Sequence, residues 1–135
     1  MSYKIDAIEG IGAAMREKLA SADITRTTHL LEKCASAKGR KEIAGKTGLK
    51  DEQLLKWVNM ADLMRVRGIG EEYSELLEAS GVDTVKELRT RKADNLTAKM
   101  KEVNESKKLV RRPPNLAEVE KWIAHAKTLD ALVTH

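Results

Sequence analysis

Apolar residues recur at three- and four-residue spacing along nearly the whole chain, the period of a helix with one buried face. Ile11, Met15, Leu19 and Ala22 fall on one such face, and Ile69, Tyr73, Leu76, Leu77 and Ser80 on another. Short helices are expected next at about 27–35 and 84–91, then at 38–46 and 95–104. The final helix of each series is the longest. Leu54, Trp57, Val58 and Ala61 make one stripe; Leu116, Val119, Trp122, Ile123 and Ala126 make the other. Asp51 and Asn115 suit the N-cap position, and Gly48 and Gly81 suit helix ends. Pro113-Pro114 makes a stiff, extended break. No segment alternates apolar and polar residues as a half-buried strand does. The fold class is therefore all-α, with about eight short helices.

The helices come in two matching series. Ile8-Glu9-Gly10-Ile11-Gly12 and Val66-Arg67-Gly68-Ile69-Gly70 share the form apolar-X-Gly-apolar-Gly and lie 58 residues apart. At the same spacing Leu19 matches Leu77, Ile24 matches Val82 and Leu30 matches Leu88. Lys56-Trp57-Val58-X-X-Ala61 returns as Lys121-Trp122-Ile123-X-X-Ala126, now 65 residues later, so the second copy holds an insertion of 7 residues, placed between about 103 and 116. The copies are about 5–64 and 65–132, expected to share one core as a single compact domain over 1–135. A period this long marks duplicated supersecondary units. A glycine pair around one apolar residue makes a tight turn, because glycine takes backbone angles that other residues resist. Gly12 and Gly70 are expected to hold conformations that a β-branched residue adopts only at a cost.

The residues Gly10-Ile11-Gly12…Leu19…Ile24 and Gly68-Ile69-Gly70…Leu77…Gly81-Val82 resemble helix-hairpin-helix motifs, a superfamily with many DNA-binding modules that ignore base sequence. The fuller pattern resembles a family of small bacterial proteins, the domain of unknown function numbered 4332. The strings that carry this likeness are Lys38-Gly39-Arg40-Lys41, Trp57-Val58-Asn59-Met60-Ala61-Asp62-Leu63, Gly68-Ile69-Gly70-Glu71-Glu72-Tyr73 and Val110-Arg111-Arg112-Pro113. The likeness covers nearly the whole chain. It implies two tandem helix-hairpin-helix repeats, and it carries no activity.

Composition narrows the function classes. The 135 residues are 41% hydrophobic and 34% charged, which is the balance of a globular chain. Phe is absent and aromatics are 3%, so stacking of single-stranded bases is poorly supported. The net charge is +4, mild enough to permit nucleic-acid binding without requiring it. A lone Cys34 forms no internal disulfide, residues 1–9 lack the apolar stretch of a signal peptide, and no apolar run reaches membrane-spanning length. A cytoplasmic location without membrane association is expected.

Candidate chemistry is sparse. No phosphate-binding Gly-rich loop ending in Gly-Lys-Ser/Thr, zinc-protease motif or nucleophile elbow is present. His29, His125 and His135 have no metal-ligand spacing. Neither catalysis nor a cofactor or metal is expected. A tight glycine turn opening a helix suits an anionic oxygen. In the first copy the turn is followed by small residues and Arg16. In the second it is followed by Glu71, Glu72 and Glu75, which suit the helix dipole but repel phosphate. From Lys99 to Arg112 six Lys or Arg face two acids, a balance of +4. The expected nucleic-acid contacts are therefore Gly10, Ile11, Gly12, Arg16, Lys107, Lys108, Arg111 and Arg112. The expected function is non-catalytic binding of DNA or RNA backbone phosphates without sequence specificity. The alternative is a protein–protein adaptor on the same scaffold, in which the turns are only packing corners. The two tryptophans read as core anchors, and Lys38, Arg40, Lys41, Lys46 and Lys50 as a solvated face.

Overall fold

A computed structural model of the protein describes residues 2–135. Among these the chain forms a 3-10 turn, Ile5–Ala7, and eight α-helices. They are α1 (Ala13–Ala20), α2 (Thr27–Cys34), α3 (Ala37–Thr47), α4 (Asp51–Leu63), α5 (Glu71–Ala79), α6 (Val85–Leu88), α7 (Ala93–Lys107) and α8 (Leu116–Ala126). There is no strand among the described residues, only an isolated bridge between Lys4 and Arg26. The chain divides into two compact units, residues 2–62 with 132–135, and Leu63–Ala131. The division falls close to the junction between the two sequence copies.

The repeat is written in backbone hydrogen bonds. In the first unit the N–H of Ile11 donates to the Ile8 carbonyl, Arg16 to Gly12, and Ile24 to Leu19. In the second, Ile69 donates to Val66, Ser74 to Gly70, and Val82 to Leu77. Each bond is the partner of its counterpart 58 residues away. The paired apolar residues Leu19 and Leu77, Ile24 and Val82, and Leu30 and Leu88 are all fully buried. After α1 and α5 the chain turns through left-handed residues at equivalent positions, Asp23 and Gly81.

The glycine expectation needs correction. Gly12 and Gly70 have negative φ (−90° and −102°), extended backbone open to any residue, and nothing lies within 4 Å of where a Cβ would stand. The left-handed positions are the first glycines, Gly10 (φ +94°) and Gly68 (φ +93°). Each faces an indole of its own unit. A Cβ on Gly10 would stand 3.5 Å from Trp57 Nε1, and one on Gly68 only 2.9 Å from Trp122 Nε1. The turn therefore needs glycine for its backbone angle and also, at Gly68, for room.

The last helix of each unit supplies that indole. Trp57 and Trp122 are 4% and 3% exposed, as their stripes predict. Asn115 caps α8 in a reciprocal capping box with Glu118, whereas Asp51 is the first residue of α4 itself and not its cap. Gly48 ends α3 in the left-handed region.

The second copy's extra length is not a free loop. Helix α7 runs 15 residues against 11 for α3, and so takes in Lys107. The remainder, residues 108–115 against 48–50, is pinned. Asn104 and Val110 exchange a pair of hydrogen bonds, Nδ2 to the Val110 carbonyl (3.1 Å) and the Val110 N–H to Oδ1 (2.9 Å). Tyr73 Oη donates to the Arg112 carbonyl at 3.0 Å.

The basic group of the first unit also departs from a plain solvated face. Arg40 is buried, and its guanidinium donates to the carbonyls of Cys34, Ala35 and Thr134 at 2.6–3.0 Å. It ties the last residues of the chain into the first unit.

Candidate functional site

The expected contact residues fall into two groups, one in each unit. In the first unit Gly10 and Gly12 are exposed and Ile11 is buried, so the apolar residue between the glycines plugs the turn. Arg16 stands one turn into α1, half exposed, with its Nη1 3.2 Å from Asp6 Oδ2. The ion pair keeps the guanidinium near the turn at little cost, since exposed pairs of this kind contribute under about 1 kcal/mol.

In the second unit Lys107, Lys108 and Arg111 are exposed, but acids share their surroundings. Lys108 and Arg111 line a hollow with Glu72 and Glu105. Arg112 is exposed but paired. Its guanidinium meets the Glu118 carboxylate through two bonds, 2.7 and 3.1 Å, the bidentate geometry natural to this pair. Those bonds, with one from the Asn115 N–H, hold the Glu118 carboxyl below the usual carboxylate range. Arg112 therefore closes the insertion onto α8.

A second cluster, missed by residue-by-residue reading, lies at the Gly68 turn. Arg67, Gly68, Glu118, Lys121, Trp122 and His125 line a cleft of about 510 Å³. The Arg67 N–H donates to His125 Nδ1 at 3.0 Å, so the neutral ring carries its proton on Nε2 and keeps that N–H as a donor. The Trp122 ring is steadied by Tyr73, whose centroid lies 5.1 Å away at a tilted angle. Burial also pushes the Tyr73 phenol up from its ordinary pKa. Trp122 Nε1 stands over Gly68 and has no hydrogen-bond acceptor in the protein, yet it is not sealed from solvent.

The signal for this cluster lay in the alignment of the two copies. Where the second has Arg67, Glu118, Lys121 and His125, the first has Glu9, Gln53, Lys56 and Met60. The packing residues Gly10/Gly68 and Trp57/Trp122 repeat, as does the lysine Lys56/Lys121; the other three places around the turn do not.

The remaining titratable residues assemble no metal centre: among the described residues no group of three or more His, Cys, Asp or Glu is placed to hold an ion. Cys34 is fully buried, and that burial pushes its thiol up to about 11. No helix among the described residues is long and apolar enough to cross a membrane. No curated protein and no solved structure matches the chain. Residues 9–129 match the family described as Domain of unknown function (DUF4332), and the chain belongs to that family.

Proposed function

We propose that this protein is a non-catalytic module that binds the phosphate backbone of nucleic acid without reading its sequence, and that its two glycine turns are helix-hairpin-helix turns. The observation that carries this reading is the open ground over Gly12. It is the extended residue just before α1, and beyond its two chain neighbours nothing lies within 4 Å of where its Cβ would stand; Gly70 is as open, but Glu71 and Glu72 begin the helix behind it. A bare backbone leading into unpaired helix amides lets an anionic oxygen approach closely. Cations stand beside both turns: Arg16 at the first, Arg67 at the second.

Contacts of this kind fix register on the duplex and carry no base information. Each neutralised phosphate releases counterions, so the affinity falls steeply with salt. The test is binding to duplex DNA, single-stranded DNA and RNA of unrelated sequences at two salt concentrations. Comparable affinities that weaken together as salt rises support the reading. Absence of salt-sensitive binding to any of the three at low ionic strength overturns it and leaves the adaptor function in its place.

A further inference from the structure

We infer that the Arg67–Trp122–His125 cleft of the second unit is a phosphate site, and that it takes over there the contact which the helix amides make in the first unit. The inference rests on the nucleic-acid reading for the source of the phosphate, but its chemistry stands on the cleft itself. The N-terminus of α5 opens with Glu71 and Glu72, whose carboxylates repel a phosphate laid against those amides. The cleft on the Gly68 side has the opposite character. Glu118 is matched by Arg112, which leaves the Arg67 and Lys121 side chains as its uncompensated charges.

The indole marks where the oxygen would go. Trp122 is 97% buried by the 3% exposure of the whole residue, and its Nε1–H has no acceptor in the protein. That donor is within reach of solvent, so water or an anion can meet it. Gly68 has no side chain to stand in the way: a Cβ there would lie 2.9 Å from that nitrogen. The His125 ring is fixed by its Nδ1 bond to the Arg67 N–H, and it offers Nε2–H as another donor. A phosphate accepts through several oxygens at once, so two neutral N–H donors beside a guanidinium and an ammonium suit it. At about 510 Å³ the cleft also has room for the sugars on either side of a phosphodiester. The first unit has Glu9 and Met60 at the corresponding places, so it lacks this donor set.

The experiment follows the two indole N–H signals in the ¹⁵N-labelled full chain by NMR. Each is assigned by its cross-relaxation to Gly10 or Gly68. One titration uses inorganic phosphate; the other uses a duplex DNA with hydroxyl ends, which offers backbone diesters alone. The expected result is that duplex shifts the Trp122 signal and leaves that of Trp57 in place. Arg67→Glu, which installs the first unit's residue, should weaken duplex binding roughly tenfold, and Lys121→Gln should weaken it less. Dispersed amide spectra of both variants show that they fold. If duplex binds while the Trp122 signal stays fixed and Arg67→Glu binds like the parent, the cleft inference is overturned and the nucleic-acid reading stands. If phosphate moves the Trp122 signal and duplex does not bind, the cleft is a phosphate site and the nucleic-acid reading falls. If neither ligand moves it, the cleft inference fails.

Discussion

At the first turn a glutamate precedes Gly10 and a methionine occupies the place one helical turn beyond Trp57. At the second turn an arginine precedes Gly68 and a histidine holds the place beyond Trp122. Between these two regions the backbone hydrogen bonds, the left-handed first glycine and the buried indole are the same. The difference shows which features the fold requires and which it leaves free. Packing pairs are kept, because a buried indole against a glycine turn closes the interior of each unit. The polar rim varies, because nothing in the packing depends on it. Chemistry that is specific to one unit must therefore be sought in the rim.

The sharpest test of the equivalence of the two units is to remove the indoles. Trp57→Ala and Trp122→Ala should each cost roughly 3–5 kcal/mol, enough to threaten folding. A small loss of urea stability at either position would break the equivalence. A milder test separates the turns. Gly68→Ala should cost roughly 2–3 kcal/mol, from left-handed strain together with the close Trp122 nitrogen, and Gly10→Ala roughly 1–2 kcal/mol from strain alone. Gly70→Ala and Gly12→Ala should stay within about 1 kcal/mol, because their extended backbone suits any residue. The same unfolding midpoints decide the order, and a larger loss at Gly70 than at Gly68 would reverse the account of the turn.

Cys34 gives a test confined to the first unit. Its folded thiol titrates near 11 because burial disfavours the thiolate. The folded state thus holds the thiol proton more tightly than the unfolded chain. This contribution is complete below the ordinary thiol value of 9.0 and is lost as pH rises from there toward about 11. Urea midpoints should fall over that window more in the parent than in Cys34→Ala, and thiol labelling at pH 8 should be limited by opening of the fold. Equal alkaline slopes in the two proteins would show the thiol to be solvated. The smallest effect is expected at the insertion. Lys107, Lys108 and Arg111 changed together to Ser should leave stability within about 0.5 kcal/mol, because the segment is held by Asn104 and Tyr73 and not by these charges. A lowered thermal midpoint would show that they take part in the fold.

Much of the fold is legible in the sequence because it is local. Helical periodicity places all eight helices, and the duplicated spacing aligns the turns residue by residue. The departures come from distant partners. Arg40 reads as one more solvated cation until the Thr134 carbonyl, 94 residues away, is brought to it. The duplicated glycines do not reveal which of each pair is left-handed. That choice depends on the indole, which arrives from the far end of the unit. Helix α6 is shorter than its stripe suggests, since Thr84 caps it and the chain leaves the helix after Leu88. The candidate site was legible in half. Gly10, Gly12 and Arg16 were visible as a turn with a nearby cation. Arg67, Lys121 and His125 become a cluster only when α8 is folded against the Gly68 turn, a contact 58 residues long in sequence between Arg67 and His125.

The most direct test of the central claim is the salt dependence of duplex DNA binding for the parent, Arg67→Glu and Glu9→Arg, measured with one duplex over the same salt range. The two-unit account predicts salt-sensitive binding by the parent. It predicts a slope of log affinity against log salt that is shallower by about one in Arg67→Glu, and no such loss in Glu9→Arg. A parent whose binding is absent at low salt, or identical slopes for the parent and Arg67→Glu, would contradict it.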